Sequence, residues 1–415
     1  MNETLEEFYS HLLGVESPWE VEEITRDSET REVVARVVFN GEEELRCPQC
    51  DQAAKLYDHR TRRWRHLDSC NHKTIIEADI PRVECKEHGI KQIPVPWAEK
   101  NTRFTMELER AICLWLRTAP IIEVANMFGM SWDEIAGIQE RAVKRGLKNR
   151  KQIATKQLGV DETAYQKRHE YVTIILDKET DTVIDVLQDR KADTLGTWFK
   201  TQNMAYLQGI SSISMDMWDP YIKAVCENFP DAKSLIAFDH YHVSQHFNKA
   251  VDKVRAAENN QLKQAYGESI LARTKYEWLR NSNRIDNRTG NRPSFIPLTK
   301  MNLKTARAWR IKEAASGLWE YEYIGIARRE WKRLLGWISR CRLAPMIKVG
   351  EMVRSYFWGI ENAIKHKANN AMLESKNNGI QRIKKIACGF RNRERFRMAI
   401  LFHFGGLDFG FSPTR

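Results

Sequence analysis

The sequence predicts a multidomain α/β protein, and three successive patterns along its 415 residues support that fold class. The first 100 residues contain two cysteine-containing pairs separated by strand-like segments. Residues 101–150 have the periodicity of amphipathic helices, and strand-like and helical segments alternate from residue 151 onward. We therefore expect a small β-rich module, then a helical domain, then a mixed α/β layer.

The composition is that of a globular, basic protein. Hydrophobic residues make up 42% of the chain and the formal net charge is +11, so a polyanionic partner is expected. No apolar run reaches the ~18 residues of a membrane span, and the acidic start MNETLEEFYS lacks the order of a signal peptide. The eight cysteines are too scattered for a disulfide scaffold, which favours a reducing, cytoplasmic location. The lack of an apolar span predicts no membrane partner.

Within the N-terminal region 1–100, residues 45–90 are expected to form a zinc-binding module. The motifs CPQC and CKEH each hold two metal-ligating side chains at the same short spacing, which suits a tetrahedral ion. The predicted ligands of one structural Zn²⁺ are Cys47, Cys50, Cys85 and His88. Cys70 and His72 are rival ligands, and two accidental pairs in a loop-rich region are the alternative.

Residues 101–150 are expected to form a helix-turn-helix domain. The first helix, FTMELERAICLWLRT, places Leu108 and Trp115 on one apolar face. Gly129 is expected to end the second helix and Ser131 to cap the third. This pattern is typical of DNA binding in a basic chain, although an ordinary helical hairpin is the alternative. The predicted DNA contacts within residues 1–150 come from the segment HRTRRWRH and from the third helix. They are Arg62, Arg63, Arg65, Trp132, Lys144 and Arg145.

Residues 151–242 predict the order β-β-β-α-β-α-β. Asp161 lies in the first strand and Asp216 ends the strand after the first helix, so adjacent strands would bring both carboxylates to one sheet edge. Carboxylates bind hard divalent cations, and two such ions support phosphoryl transfer. Asp239 and His242 in FDHYH are expected beside this site as supporting groups. The alternative is that each of these residues only caps a strand or turn.

The remaining chain is expected to be helical over 243–360 and to return to the α/β domain over 361–400, with a tail at 401–415. A helix in AMLESKNNGIQRIKKIACGF places Glu374 next to its apolar face. From residue 376 to 397 eight Lys or Arg side chains accompany one acid, which predicts a phosphate-tracking stripe or, alternatively, a solvated basic helix. The predicted DNA contacts here and in the first hairpin are Lys167, Arg168, Asn377, Asn378, Lys384, Lys385, Arg391 and Arg393; the two asparagines could instead orient a carboxylate.

Four segments together resemble the bacterial insertion-sequence transposases of the ISL-three family. They are GVDETAYQKRHEYVTIILD, SMDMWDPYIKAV, FPDAKSLIAFDHYHV and LESKNNGIQRIKKIACGFRNRERFRMAIL. The resemblance spans nearly the whole chain, because a zinc module and a helix-turn-helix precede these segments in that family. It implies an RNase H-like mixed sheet with a helical insertion and a catalytic triad of Asp161, Asp216 and Glu374. Ser375 departs from the pattern, since a glycine is expected directly after the glutamate.

The resemblance implies a DNA transposase. Such a protein would bind terminal inverted repeats and target DNA, and would cut and join strands with two Mg²⁺ or Mn²⁺ ions per active site. It would work as a homodimer or larger assembly in the bacterial cytoplasm, associated with the nucleoid when bound. Two alternatives are a zinc-containing regulator that binds DNA without cutting it, and a metal-dependent nuclease that cuts but never joins strands.

Overall fold

The computed structural model describes residues 4–41, 45–151, 154–166, 170–282, 295–366 and 371–411. It divides the chain into two units, one built from residues 1–150 and 407–415 and the other from residues 151–406. No helix among the described residues is long and apolar enough to cross a membrane.

The N-terminal unit begins with helix α1 (Leu5–Leu13) and a five-stranded mixed sheet. The strands are β1 (Trp19–Asp27), β2 (Glu32–Phe39), β3 (Lys55–Arg65), β4 (Lys73–Cys85) and β5 (Gly89–Gln92). They lie in the order β1-β2-β4-β3, and β5 pairs with β4. Alternation along β4 buries Ile76, Ala78 and Ile80 on one face, as a half-buried strand requires.

Three helices follow the sheet: α2 (Met106–Leu116), α3 (Ile121–Phe128) and α4 (Trp132–Asn149). Gly129 ends α3 in the left-handed conformation at φ 57°, and Ser131 caps α4 in a reciprocal box with Glu134. Both predicted boundaries are confirmed. The prediction for Trp115 is wrong, because its side chain is 48% exposed while Leu108 is fully buried.

The last described residues pack on α4. The guanidinium of Arg145 donates to the carbonyl oxygen of Phe409 and lies 4.7 Å from the ring centroid of Phe411. A Cβ on Gly146 would come within 2.8 Å of the Leu407 Cβ, so the close approach requires glycine there. The predicted tail 401–415 therefore divides, because a helix continues to Phe404 and residues 407–411 belong to the N-terminal unit.

The second unit contains a five-stranded sheet in the order β10-β9-β6-β7-β8. The strands are β6 (Gln157–Gln166), β7 (Glu170–Asp177), β8 (Thr182–Leu187), β9 (Ser212–Met215) and β10 (Ile236–Phe238). β6, β7 and β8 are antiparallel neighbours, whereas β9 runs parallel to β6 and β10 parallel to β9. The connecting helices are α5 (Ala192–Thr201), α6 (Met204–Gly209), α7 (Asp219–Asn228) and α8 (Ala232–Leu235). The predicted order of the strands is confirmed, and each predicted helix is present. The short helices α6 and α8 were not predicted, so each connection holds two helices where one was expected.

Helices fill the described part of the chain after β10. They are α9 (His240–Tyr266), α10 (Lys275–Leu279), α11 (Phe295–Lys300), α12 (Lys304–Gly317), α13 (Ile324–Arg340), α14 (Ala344–Ser355), α15 (Phe357–Lys365), α16 (Ala371–Ile386) and α17 (Arg393–Phe404). Trp278 and Trp331 are fully buried in their core. The core is continuous with one face of the sheet, where α15 packs on β10 through contact of Gly359 with Phe238.

Candidate active site and nucleic-acid interface

Three aspartates lie where the parallel pairing of β6, β9 and β10 ends. Gly159 pairs with Ser214 and Met215 pairs with Phe238, so the residues that follow each strand reach the same sheet edge in register. Asp161 lies within β6, two residues beyond that pairing, and Asp216 and Asp239 follow the other two strands directly. The sheet topology thus brings together the two predicted acids and a third.

His242, in the first turn of α9, faces all three carboxylates. Its imidazole nitrogens lie 3.8 Å from Asp161 Oδ1, 3.5 Å from Asp216 Oδ2 and 3.6 Å from Asp239 Oδ2. These separations exceed the length of a normal hydrogen bond, so the ring and the carboxylates interact electrostatically. Asp239 also caps α9, since its Oδ1 accepts the backbone N–H of Tyr241 at 2.8 Å.

The carboxyl group of Asp161 has a raised pKa. Burial raises its pKa from the ordinary 3.8 to about 6, against the opposing effects of His242 and of the Glu162 backbone N–H, while Asp239 and Asp216 raise it further. Buried carboxylates that repel one another are stabilised by a cation between them. The donor set at this edge therefore fits a hard divalent metal ion.

Helix α16 is attached to β6 by a row of hydrogen bonds. Asn377 Nδ2 donates to Asp161 Oδ2 at 2.7 Å, Gln381 Nε2 donates to Thr163 Oγ1 at 2.7 Å, and Lys384 Nζ donates to the Ala164 carbonyl at 2.7 Å. The three donors lie four and three residues apart, so they share one face of the helix. The row fixes α16 in register with the strand that carries Asp161.

Glu374 precedes Asn377 by three residues in α16, one helical turn away on the same face. Its side chain lies outside what the structure describes, so its distance to the aspartates stays a prediction. Asn377 contacts a predicted catalytic acid, in line with the carboxylate-orienting alternative. Gln381 was not predicted, although its spacing of four residues from Asn377 was visible in the sequence.

A buried lysine that the sequence did not predict lies close to the carboxylate edge. Lys178 Nζ donates to Ser214 Oγ at 3.0 Å, two residues before Asp216. Burial lowers its pKa to about 8, and Asp239 opposes that effect. Its position just after β7 carries no motif, so only the folded sheet reveals it.

The predicted zinc ligands form one cluster in the N-terminal unit. The four ligand atoms all lie within 4.8 Å of one another. Cys50 Sγ is 3.7 Å from Cys85 Sγ, and His88 Nδ1 is 3.8 Å from Cys47 Sγ and 3.6 Å from Cys85 Sγ. A tetrahedral zinc ion separates two thiolates by roughly 3.8 Å and a thiolate from an imidazole nitrogen by roughly 3.6 Å, so the spacing fits.

The backbone around two of the cysteines also favours metal binding, although the pKa of the third, Cys50, is raised. Backbone N–H groups lower the pKa of Cys47, chiefly that of Gln49, and the pKa of Cys85, chiefly that of His88, which favours the thiolate form that binds metals. The rivals Cys70 and His72 lie in a separate turn, where His72 Nδ1 is 3.1 Å from the Cys70 carbonyl oxygen. They are not part of this cluster.

Some predicted DNA contacts have internal partners instead. Arg145 is only 11% exposed and pairs with Glu99 at 2.7 Å and Glu109 at 3.5 Å, so it stabilises the helical domain and we remove it from the interface. Arg65 is 12% exposed and pairs with Asp68 at 3.1 Å. Lys384 is bound to β6, as described above.

The other predicted contacts reach the surface to different extents. Arg63, Lys144 and Arg393 form surface ion pairs with acids, which contribute little to stability and can exchange for phosphate contacts. Those that are exposed or half-exposed are Arg62, Arg63, Trp132, Lys144, Asn378, Lys385, Arg391 and Arg393. Lys167 and Arg168 lie outside the described residues.

Comparisons with known proteins agree with this assembly of domains. A family model described as "Transposase", the DDE domain of the ISL3 group, matches residues 158–400. Two more match, the "zinc-finger of transposase IS204/IS1001/IS1096/IS1165" at residues 43–88 and the "helix-turn-helix domain of transposase family ISL3" at residues 93–143. A chain with these three domains is a DNA-binding enzyme of the DDE transposase class.

Two curated relatives extend the match over most of the chain. The transposase for insertion sequence element IS1557 from Mycobacterium tuberculosis is 24% identical, with 92% of this chain and 91% of the relative covered. The transposase for insertion sequence element IS1001 from Bordetella parapertussis is 23% identical, with 87% and 89% covered. Because the catalytic-domain model matches more than half of its residues, this chain belongs to the ISL3 family of transposases.

Proposed function

We propose that this protein mobilises a bacterial insertion sequence. It binds the terminal inverted repeats, cuts the DNA at the element's ends and joins the freed ends to target DNA. The observation that carries the proposal is the convergence of Asp161 and Asp216 on His242 at one sheet edge, in a chain of this family.

The catalytic domain is proposed to be RNase H-like and to comprise residues 151–242 and 361–400. Support comes from a sheet in which three antiparallel strands are extended by two parallel strands next to the first, with the acids at the parallel edge. The proposed helical insertion, 243–360, lies between β10 and the helix that carries Glu374. The zinc module and the helix-turn-helix domain, 101–150, precede it.

Asp161, Asp216 and Glu374 would hold the catalytic metal, as two Mg²⁺ or Mn²⁺ ions per site. Carboxylate oxygens are the ligands that these ions prefer. Burial raises the pKa of Asp161, and a cation bound beside it would favour its charged form. When bound, such ions polarise the phosphate and stabilise the attacking and leaving oxygens of the displacement.

The chain's own residues hold these ligands in place. Asn377 holds Oδ2 of Asp161, while the Glu162 backbone N–H donates to Oδ1 at 2.7 Å, so both oxygens of this carboxylate are fixed in direction. The Met217 backbone N–H orients Asp216 in the same way at 2.6 Å. Asp239 caps α9 and thereby positions His242 between the acids. This preorganisation reduces the reorganisation that phosphoryl transfer requires.

DNA recognition is proposed to reside in the N-terminal unit, with Zn²⁺ held by the Cys47 cluster and α4 presented to the duplex. The exposed cations near α16 would contact phosphates beside the active site. Two ends must be cut and joined together, so we propose at least a homodimer. The site of action is the bacterial cytoplasm, where the DNA lies.

The proposal is tested by separating binding from cleavage. Asp161→Asn should bind DNA carrying the element's ends as tightly as the wild type in a mobility-shift assay, but should cut it at least 100-fold more slowly. Asp231→Asn, a change at an exposed aspartate remote from the acids, is the matched control and should cut normally. Unchanged cleavage by Asp161→Asn would refute the catalytic assignment.

A further inference from the structure

A cavity lies along the same sheet edge as the aspartates. It has a volume of about 770 Å³ and is lined by Tyr171 from β7, by residues 189–193 after β8 and by residues 218–220 after β9. Trp218 is only two residues beyond Asp216. Tyr171 pairs across the sheet with Ala164, three residues beyond Asp161, so the cavity adjoins the carboxylate edge. Its volume is within the ~300–1,000 Å³ of sites that hold small molecules.

The aromatic side chains of this cavity surround a fixed arginine. The Arg190 guanidinium lies 4.4 Å from the Tyr171 ring centroid and 5.0 Å from that of Trp218. Arg190 Nη1 donates to Glu162 Oε1 and Oε2 at 3.2 and 3.1 Å. Glu162 is the neighbour of Asp161 in β6, so the cluster is joined to the catalytic strand. Trp218 nevertheless keeps 38% of its surface exposed.

The charges around the cavity do not favour a phosphate group. Arg190 is paired with Glu162, Arg393 lies 3.2 Å from Glu170, and Lys191 lies 3.7 Å from Asp189. The lining holds four acidic and four basic residues, so no net positive charge attracts an anion. Flat aromatic surface with both hydrogen-bond donors and acceptors around it suits a neutral, planar ring that carries polar edges.

We propose that this cavity receives an unpaired nucleobase of the DNA strand whose phosphate lies at Asp161 and Asp216. The base next to the cut would leave the duplex and stack on the exposed face of Trp218, with Arg190 and the neighbouring acids reading its edges. Enzymes that act on DNA bases extrude nucleotides into such pockets, and aromatic stacking accepts every base. The inference deepens the proposed function and rests on it for the position of the phosphate.

The first test measures binding of a short labelled single-stranded oligonucleotide that lacks the element's ends. Fluorescence anisotropy with the full chain and Mg²⁺ should show about 5- to 160-fold weaker binding for Trp218→Ala, the range expected for one lost stacking contact. Trp337→Ala, at a tryptophan of similar exposure in α13, is the matched control and should bind as the wild type does. Trp218→Phe keeps an aromatic ring and should restore most of the affinity. Equal affinity of Trp218→Ala and Trp337→Ala would overturn the proposal.

The second test uses cleavage of the element's ends, with each nucleotide flanking the cut replaced in turn by an abasic residue. If Trp218 stabilises an extruded base, the cleavage defect of Trp218→Ala should shrink at one abasic position. A defect that persists at every position would mean that Trp218 only supports Arg190, and would overturn the base site. If the wild type itself cuts no end, the proposed function fails, whereas the anisotropy result still decides whether the cavity binds nucleobases.

Discussion

The hydrogen bond between Asn377 and Asp161 gives the sharpest prediction about catalysis. Asn377 Nδ2 lies 2.7 Å from Asp161 Oδ2, and the carboxylate is buried. A hydrogen bond to a charged group contributes about 1.5–3 kcal/mol. Asn377 is half-buried, so we take the lower half of that range for Asn377→Ala, which corresponds to roughly 10- to 40-fold slower cleavage.

The assay is single-turnover cleavage of labelled DNA ends at saturating DNA and metal. DNA affinity should stay within about twofold, because the lost contact orients a carboxylate and does not touch the duplex. The exposed helical Asn260→Ala is the matched control and should cut at the wild-type rate. Thermal unfolding of each variant verifies that the fold is retained. Wild-type cleavage by a folded Asn377→Ala protein, or a loss confined to DNA affinity, would refute the reasoning.

Three further predictions concern the N-terminal unit. Chelation of zinc, or Cys47→Ser, should remove the single zinc ion and abolish DNA binding. Elemental analysis measures the metal content and a mobility-shift assay measures the binding. Full binding by metal-free protein would contradict this prediction. Phe409→Ala should destabilise the helical domain by about 3–5 kcal/mol, because it removes a buried ring. An unchanged melting temperature would contradict this prediction. Burial lowers the pKa of His66 to about 4, so this imidazole should stay neutral at pH 5, where an ordinary histidine of pKa about 6.5 is protonated. The unfolded chain binds this proton below about pH 6.5, whereas the folded chain binds it only below about pH 4. This residue therefore lowers the free energy of unfolding as the pH falls from about 6.5 to about 4. Histidine ¹⁵N spectra that show protonated His66 at pH 5 would refute the prediction.

The sequence was sufficient to predict features that depend on local pattern. The strand order of the second unit, the Gly129 and Ser131 boundaries and the common edge of Asp161 and Asp216 all follow from periodicity, turn residues and the geometry of parallel strands. The Cys47 cluster follows from two spacings that suit one tetrahedral ion.

Features that depend on distant partners could not be predicted in this way. Arg145 looks like a DNA-contacting cation until the fold brings Glu109 and the C-terminal Phe411 to it. The row of donors on α16 has meaning only once that helix docks on β6, more than 200 residues earlier, where Asn377 meets Asp161. A basic or polar helix face has the same sequence pattern whether it faces solvent, DNA or a β-strand.

The most direct test of the central claim uses labelled DNA that carries the element's own ends, incubated with the purified chain and Mg²⁺ or Mn²⁺. Glu374→Gln is the control, since it removes one proposed metal ligand with little change in shape. We predict metal-dependent cleavage followed by joined strand-transfer products from the wild type, and neither from Glu374→Gln. Tight binding of the ends without cleavage by either protein would contradict the account, and cleavage without joining would identify a nuclease instead.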